Sequence, residues 1–176
     1  AGLTTGVTYY YVVVARAGDG LASGWSNEAS DTTNIPLGSG WRNVQWPCEI
    51  TNHVIGVNNY TPTVYGQVWV PGFTDSQNPP VDGIIAQVGY GPVGDTPTAA
   101  SWTWFDMEHN PGYDFGQGND EFQGQMLPTA VGSYKYTTRY SGDGGLTWYY
   151  AVNGPNAGCT PGDGEPLRDL TVIQSS

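Results

Sequence analysis

Apolar and polar residues alternate along most of this chain at the spacing of β-strands. In the first segment, odd-numbered positions carry Leu3, Tyr9, Tyr11, Val13 and Ala15, and side chains two residues apart share one face of a strand. From Trp41 onward, short strand-like segments alternate with Gly, Pro, Asn and Asp turn signals, over residues 41–46, 53–57, 63–70, 83–90, 101–107, 121–127, 132–140, 147–152 and 167–173. No window has helical spacing. The pattern predicts an all-β fold, an antiparallel β-sandwich of immunoglobulin-like or jelly-roll-like type.

Two of these strands carry aromatic rows. Tyr134, Tyr136 and Tyr140 share one face of their strand, and Trp102 and Trp104 share one face of theirs. Because large aromatic side chains supply most of the buried apolar area in a domain of this size, we expect both rows to lie in the core.

Residues 1–33 have a pattern of their own. The spacing Leu3-x-x-Gly6-x-x-Tyr9-x-Tyr11-x-Val13-x-Ala15, followed by Ser26-Asn-Glu, resembles the last two strands of a fibronectin type III module. The resemblance implies a partial fibronectin type III β-hairpin over 1–33, a linker over 34–40 and a β-sandwich module over 41–176. Half a sandwich cannot bury its inner face alone, so such a hairpin needs a partner. The alternative is that these strands belong to the domain that follows.

Composition narrows the class of protein. The chain has 16 Asp and Glu against 5 Lys and Arg, a net charge of -11. Such a charge repels nucleic acid and anionic membranes, and no run approaches the roughly 18 apolar residues that span a bilayer. We therefore expect no nucleic-acid partner, no membrane insertion and a secreted, extracellular or cell-surface location. The charge also suits cation binding, although a merely solvated acidic surface would have the same composition.

Two cysteines, Cys48 and Cys159, lie too far apart in sequence for a CxxC metal or redox motif. Outside the cell they would form one disulfide that ties the start of the main module to its end. Closing a loop of that length contributes roughly 4 kcal/mol in the chain-entropy model. Two free thiols are the alternative.

The most specific motif is Ser141-Gly-Asp143-Gly-Gly145-Leu-Thr147-Trp148. It resembles the Asp-box, which occurs in glycosidases and in extracellular modules, usually away from an active site. We expect Asp143 to accept backbone N–H bonds across a tight turn, Gly145 to adopt positive φ, and Trp148 to pack into the core. The motif therefore predicts a hairpin with a structural role.

An acidic, Gly-punctuated stretch offers oxygen ligands of the kind that Ca²⁺ prefers. The candidate ligands are Asp106, Glu108, Asp114, Asn119, Asp120 and Glu121. The spacing is not that of an EF-hand, and a solvated loop with Asx turns is the alternative. Asp106 and Glu108 share a strand face, as a glycosidase pair can, but nothing in the sequence marks an acid in an apolar pocket. We expect no catalytic residues.

Tyr and Trp far outnumber Phe, with 12 Tyr and 7 Trp against 4 Phe. Exposed rings with a polar tip can stack on the apolar C–H faces of sugars. We expect Tyr149 to face outward because Trp148 and Tyr150 would face inward, and we take Tyr113, Tyr149 and Trp69 as candidate carbohydrate-binding residues. Trp46 is a further candidate at an edge. For most aromatic residues in the chain, a place in the core is the simpler interpretation.

Residues 41–152 resemble an accessory β-sandwich module of secreted bacterial amylopullulanases and other extracellular hydrolases. The resemblance is carried by Trp41-Arg-Asn-Val-Gln-Trp46-Pro47, Val64-Tyr-Gly-Gln-Val-Trp69, Ile85-Ala-Gln-Val-Gly-Tyr-Gly91, Trp102-Thr-Trp104, Gly118-Asn-Asp-Glu-Phe122 and Tyr134-x-Tyr136-x-x-Arg139-Tyr140-Ser141. It implies a non-catalytic module that often neighbours fibronectin type III repeats, and it implies no particular ligand. The chain departs from the pattern at Cys48, where a second Pro is usual, and a disulfide with Cys159 would explain the departure.

The sequence thus leaves two functions open besides that of a hydrolase fragment. One is an accessory module that binds a polysaccharide or cell-surface glycan and positions a parent hydrolase. The other is a structural or adhesive module of a cell-surface or filamentous assembly, in which a neighbouring chain completes the partial N-terminal module by adding strands to its open edges.

Overall fold

The computed structural model describes residues 3, 8–32, 34–75, 80–113, 118–151 and 167–175. These parts contain a short 3₁₀ turn at Leu37–Ser39 and the strands β1 (Thr8–Tyr11), β2 (Ala29–Thr32), β3 (Trp41–Trp46), β4 (Glu49–Val54), β5 (Val64–Trp69), β6 (Ile85–Pro92), β7 (Thr103–His109), β8 (Asp120–Gly124), β9 (Gly132–Ser141), β10 (Tyr149–Tyr150) and β11 (Arg168–Ile173). The predicted all-β class is confirmed. In the described ranges, no helix has the length and apolar character needed to cross a membrane.

Nine strands form one curled sheet. Their order is β3-β5-β8-β7-β6-β9-β11-β4, with β10 paired to β9. The pairs are antiparallel except β11 with β4, which is parallel. The sheet divides at β7, which joins β8 through only two residue pairs before it pairs with β6. Its two halves meet face to face, since the Tyr140 hydroxyl of β9 donates to the carbonyl of Asn43 on β3 at 3.5 Å. The arrangement is that of a β-sandwich.

The core lies between these halves. Tyr136 and Tyr140 have no exposed surface and Tyr134 packs against the same core, so the prediction for the Tyr row is confirmed. The Tyr136 hydroxyl donates to the Pro47 carbonyl at 2.6 Å, so the one polar atom of this buried side chain has a hydrogen-bond partner. Ile35, which precedes β3, is also buried in the core, and its N–H donates to the carbonyl of Gly142 at 2.9 Å.

The prediction for the Trp row is confirmed only in part, since Trp102 is buried, with 6% of its surface exposed, whereas Trp104 is half-buried. Phe105 and Met107 of β7 pack against the core, so Trp102 and Trp104, at alternating positions, lie on the opposite, outer face of that strand. Their indoles cover β6 where it lacks side chains: a Cβ on Gly89 would lie 2.4 Å from the Trp104 ring. Trp102 is therefore buried against the backbone of β6, apart from the two apolar clusters that lie between the halves of the sheet.

The strand predicted over 53–57 lies earlier, at Glu49–Val54. Its pairing with β11 fixes the position, because Glu49 is aligned with Asp169 and His53 with Val172. Val57 and Asn58 instead form a turn, with Asn58 at φ +59°.

The N-terminal segment forms a separate two-stranded antiparallel sheet. Thr8 is aligned with Thr32, and Tyr11 with Ala29. Most of its apolar row is exposed, with 68% of Leu3, 52% of Tyr11 and 66% of Val13 accessible to solvent, while Tyr9 is half-buried. The predicted division into 1–33, 34–40 and 41–176 stays a prediction.

Candidate functional site

The outer face of β3, β5 and β8 carries three rows of side chains that run across the strands. It is the face opposite Val44, Val64 and Phe122, which are buried in the core. The rows are defined by cross-strand pairing. Row one consists of Trp41 and Trp69, and row two consists of Asn43, Gln67 and Glu121. Row three consists of Trp46, Tyr65, Gln123 and, on β7, Glu108. Directly paired residues share a face of the sheet and touch their neighbours in the row.

Row two is a buried polar ladder. The Gln67 Nε2 donates to Glu121 Oε2 at 2.9 Å, and the Gln67 backbone N–H donates to Asn43 Oδ1 at 3.1 Å. The other carboxylate oxygen of Glu121 accepts from Asn110 Nδ2 at 2.6 Å. Each buried polar group thus has a partner, which is the condition for burying amides and a carboxylate without a large penalty. The ladder fixes the register that holds the rows on either side.

Row three ends in an open pocket of about 390 Å³ at the point where β7 leaves β8. Its polar lining consists of Thr63, Asp106, Glu108, Gln123 and Gln125. Glu108 Oε1 accepts from Gln123 Nε2 at 3.1 Å, and Asp106 Oδ1 accepts from Gln87 Nε2 at 2.8 Å. Neither carboxylate pairs with a cation in the described structure. The pocket can therefore both accept and donate hydrogen bonds to a polar ligand.

Two of the three predicted carbohydrate-binding residues lie at the opposite end of this face. Trp69 is half-buried beside Trp41. Tyr113 is half-buried, and its hydroxyl donates to Asn119 Oδ1 at 2.7 Å. Because Asn119 directly precedes Asp120, which pairs with Val68, both rings lie near the same end of the β5–β8 pair.

Tyr149 does not face outward as predicted. It pairs with the buried Tyr140, packs against the core, and has the Arg42 guanidinium 5.2 Å from its ring centroid. The prediction inverted the alternation because it placed Trp148 in the core. Trp148 instead packs on Arg139, whose guanidinium carbon is 4.1 Å from its ring centroid.

Arg139 is a residue that the sequence did not single out. Its guanidinium also lies 4.1 Å from the Trp104 ring and donates to Gln87 Oε1 at 2.6 and 2.8 Å. Burial lowers the pKa of this guanidinium, while Tyr150 acts in the opposite direction. A Trp–Arg–Trp stack on the outer face therefore joins β7, β9 and the end of the hairpin loop. The alternation of Lys135, Thr137 and Arg139 was the available signal for its outward position.

The predicted calcium ligands are divided between two faces. Asp106 and Glu108 lie on the outer face of β7, and Glu121 lies in the buried ladder on the same face of β8. Asp120 points to the opposite face of β8. Asn119 is buried next to Asp120, and Asp114 lies outside the described residues. No group of three or more His, Cys, Asp or Glu side chains in the described parts is arranged to hold a metal ion. Calcium binding stays a prediction.

Asp120 is the most perturbed carboxyl group of this set. Its side chain is fully buried, its Oδ2 accepts from the Val81 N–H at 3.1 Å, and its Oδ1 has no hydrogen-bond partner among the described residues. Burial raises the pKa of Asp120 to about 6. The His109 Nε2 lies 3.9 Å away, and burial lowers the pKa of this imidazole. At neutral pH, Asp120 is therefore mainly a desolvated carboxylate, and the imidazole of His109 beside it is mainly neutral.

The loop of the β9–β10 hairpin holds the residues that resemble an Asp-box, and that identity stays a prediction. Asp143 Oδ1 accepts from the Thr147 N–H at 2.9 Å and from the Ser141 hydroxyl at 2.7 Å, and the Ser141 Oγ accepts from the Gly145 N–H at 2.9 Å. Gly145 has φ +91°. The hydrogen bond from Thr147 and that from Ser141 lower the pKa of Asp143. These contacts close the loop on itself.

Cys48 is half-buried between β3 and β4. Cys159 lies outside the described residues, so the disulfide between them stays a prediction.

No protein-family model matches the chain. It is 32% identical over 191 aligned residues to an amylopullulanase of Thermoanaerobacter thermohydrosulfuricus, which covers 99% of the chain and 12% of that protein. It is 30% identical over 169 residues to an amylopullulanase of Thermoanaerobacterium thermosulfurigenes, covering 84% of the chain and 8% of that protein. An amylopullulanase of Thermoanaerobacterium saccharolyticum is 29% identical over 167 residues. The chain is thus homologous to segments of amylopullulanases and spans about a tenth of the length of these relatives.

Proposed function

We propose that the chain is a non-catalytic, extracellular accessory module of a larger bacterial hydrolase, and that it binds α-glucan polysaccharide. The observation that supports this most is the match of 99% of the chain to 12% of an amylopullulanase, with the two further relatives described above bearing the same name. A module that small within a large enzyme suits a role in holding substrate near a catalytic domain elsewhere. The name of the relatives points to starch-type glucans and pullulan as ligands.

The surface chemistry supports the same proposal. The outer face carries half-buried and exposed Trp and Tyr side chains beside a pocket of hydroxyl, amide and carboxylate groups. Sugars have apolar C–H faces and polar hydroxyl edges, so they suit a surface that offers both ring faces and hydrogen-bonding groups. The acidic net charge of -11 disfavours anionic ligands and leaves neutral glycans acceptable.

Titration with soluble starch, pullulan and chitin oligomers tests the proposal. We expect saturable binding of starch or pullulan by calorimetry, with a change in Trp fluorescence, and none of chitin oligomers. An assay for new reducing ends should show no hydrolysis above the buffer blank. Failure to bind either glucan would refute the binding function, and release of reducing ends would refute the non-catalytic assignment.

One observation favours a second candidate function. The N-terminal sheet exposes its apolar row at Leu3, Tyr11 and Val13, which suits a structural or adhesive module whose partial fibronectin type III hairpin is completed by a neighbouring chain.

A further inference from the structure

We propose that row three and the pocket at its β7 end form an oligosaccharide-binding cleft, in which Trp46 stacks on a sugar ring and Glu108, Gln123 and Asp106 bind sugar hydroxyls. This inference rests on the proposed glucan-binding function and names the site that performs it. It places the ligand away from Trp69, Tyr113 and Tyr149.

The first support is the position of Trp46. The pairing of β3 with β5 shifts by one residue between Val44 and Trp46, so that Trp46 rather than Gln45 is aligned with Tyr65. Without this irregularity, strict alternation would place Trp46 on the core side of β3. The shift instead turns the indole outward, with 51% of its surface exposed. Bulges that redirect one side chain are frequent next to functional sites.

The second support is the sequence of chemical groups along the row. Trp46 and Tyr65 supply rings at the β3 end, and Gln123 and Glu108 supply an amide and a carboxylate at the β7 end. The row crosses four strands, so it extends for roughly 14 Å at the usual strand spacing. This length accommodates a short run of linked sugar units with a stacking platform at one end and hydrogen-bonding groups at the other.

The third support is the free capacity of the pocket. Asp106 and Glu108 each have one oxygen bonded to a Gln amide, and the second oxygen of each has no hydrogen-bond partner in the described structure. Both side chains are exposed, so they reach a ligand without further burial of charge. A carboxylate that accepts from a sugar hydroxyl makes a charge-assisted bond, which is stronger than a neutral one. The pocket volume of about 390 Å³ suits one or two sugar units.

The other aromatic groups of the outer surface are less suitable. Trp104 and Trp148 have the Arg139 guanidinium between them, and Trp104 also stacks on Trp102 with ring centroids 5.5 Å apart. Arg139 and Trp102 therefore occupy the ring faces of Trp104 on which a sugar would have to stack. Trp69 is half-buried against its pair Trp41. In the described main sheet and its loops, Trp46 is the Trp with the largest exposed fraction.

Four single variants of the full chain test the cleft: Trp46→Ala and Glu108→Gln within it, and Trp25→Ala and Glu28→Gln as matched controls. Trp25 and Glu28 are exposed residues of the N-terminal segment, outside row three. Calorimetry with maltoheptaose and with pullulan measures affinity without relying on Trp emission. We expect Trp46→Ala to weaken binding about tenfold or more, Glu108→Gln to weaken it severalfold, and both controls to bind like the wild type. A fifth variant, Trp46→Phe, keeps a ring and should recover most of the loss.

The outcomes separate this inference from the function on which it rests. If the wild type binds glucan and both cleft variants bind equally well, the site lies elsewhere and the glucan-binding function stands. If the wild type binds neither glucan, both proposals are refuted. Thermal unfolding of each variant shows whether it is folded, and the exposed Glu108→Gln change keeps the test valid should Trp46→Ala destabilise the sheet.

Discussion

A single carboxyl group, Asp120, links burial to pH-dependent stability. Its folded-state pKa of about 6 lies above the ordinary value of 3.8 because burial disfavours the charged form. The folded state therefore binds more protons than the unfolded state between these two values. The contribution of Asp120 to the free energy of unfolding consequently falls as the pH rises from about 4 to 6, and the ionised group opposes folding at neutral pH. Among the described residues, the titratable group in contact with Asp120 is His109, which has Asp82 as its acidic neighbour.

We predict that Asp120→Asn stabilises the protein at pH 7.5 by on the order of 1 kcal/mol, or about 2–4 °C in melting temperature. The amide keeps an acceptor for the Val81 N–H and carries no charge to desolvate. At pH 4.5, where Asp120 is itself protonated, the gain should disappear. Thermal unfolding from pH 4 to 8 measures both values, with the exposed Glu28→Gln variant as a control. An equal difference between variant and wild type at every pH would contradict the assigned cause.

The hairpin of β9 and β10 is the element in which sequence and local geometry agree most closely. The Asp143 carboxylate and the Ser141 hydroxyl together accept two backbone N–H groups, those of Thr147 and Gly145. Such side-chain acceptors replace the backbone partners that a tight loop lacks. This hairpin also positions Trp148 against Arg139, so it supports the stack that joins it to β7.

We predict that Asp143→Ala lowers the melting temperature by about 2–5 °C, because it removes the acceptor for Thr147 and leaves the Ser141 hydroxyl without its acceptor. Asp143→Asn should lose less, since the amide oxygen can still accept both bonds. Leu146→Ala, at a residue that is 88% exposed in the same loop, is the matched control and should melt like the wild type.

Hydrogen bonds from Thr147 and Ser141 lower the pKa of Asp143. The stabilisation by Asp143 is therefore present above the pKa of the unfolded state and is lost as the pH falls through the lowered pKa of the folded state. A melting temperature for Asp143→Ala equal to that of the control would contradict the structural role of this carboxylate.

Strand positions in this chain were largely readable from sequence, whereas the face that each side chain takes was not. The strand over 41–46 was predicted with its observed bounds, since turn residues and β-type residues mark it locally. Alternation gives two possible phases, and only contacts with other strands decide between them. For Trp104 and Tyr149 the wrong phase was assumed, because Trp104 was assigned to the core as a large ring and Tyr149 was placed outward from the assumed burial of Trp148. The neighbouring Gly89 and the pairing of Tyr149 with Tyr140 settle both cases in the structure.

The candidate cleft could be predicted from the sequence even less than the faces of single side chains. Row three joins residues from β3, β5, β8 and β7, which are distant in sequence and meet only through strand order. The pairing shift before Trp46 has no mark in the residue types around it. Trp69 was selected as an aromatic residue on a predicted edge, and Trp46 was noted in the same way, but the sequence offered no means to rank the two.

At the scale of the whole molecule, the N-terminal sheet differs from the main sheet in what it leaves uncovered. The main sheet buries its apolar rows between its two halves, whereas β1 and β2 form a two-stranded sheet with Leu3, Tyr11 and Val13 exposed. Two strands with one apolar face do not bury enough surface to be stable alone in water. Strands from a neighbouring chain could pair with the open edges of this hairpin, and packing of that chain against the apolar face would cover it.

The assembly alternative therefore makes a definite prediction. If a second copy completes the hairpin, the full chain should show a mass that rises with concentration in light scattering after size-exclusion chromatography. Val13→Lys, which places a charge on the exposed apolar row, should return the chain to a monomer, because the charge would have to be desolvated on pairing. Asn27→Lys, at an exposed polar position of the same segment, is the matched control and should assemble like the wild type. A wild-type chain that stays monomeric at every concentration would exclude completion by a second copy and leave the accessory-module function as the one to pursue.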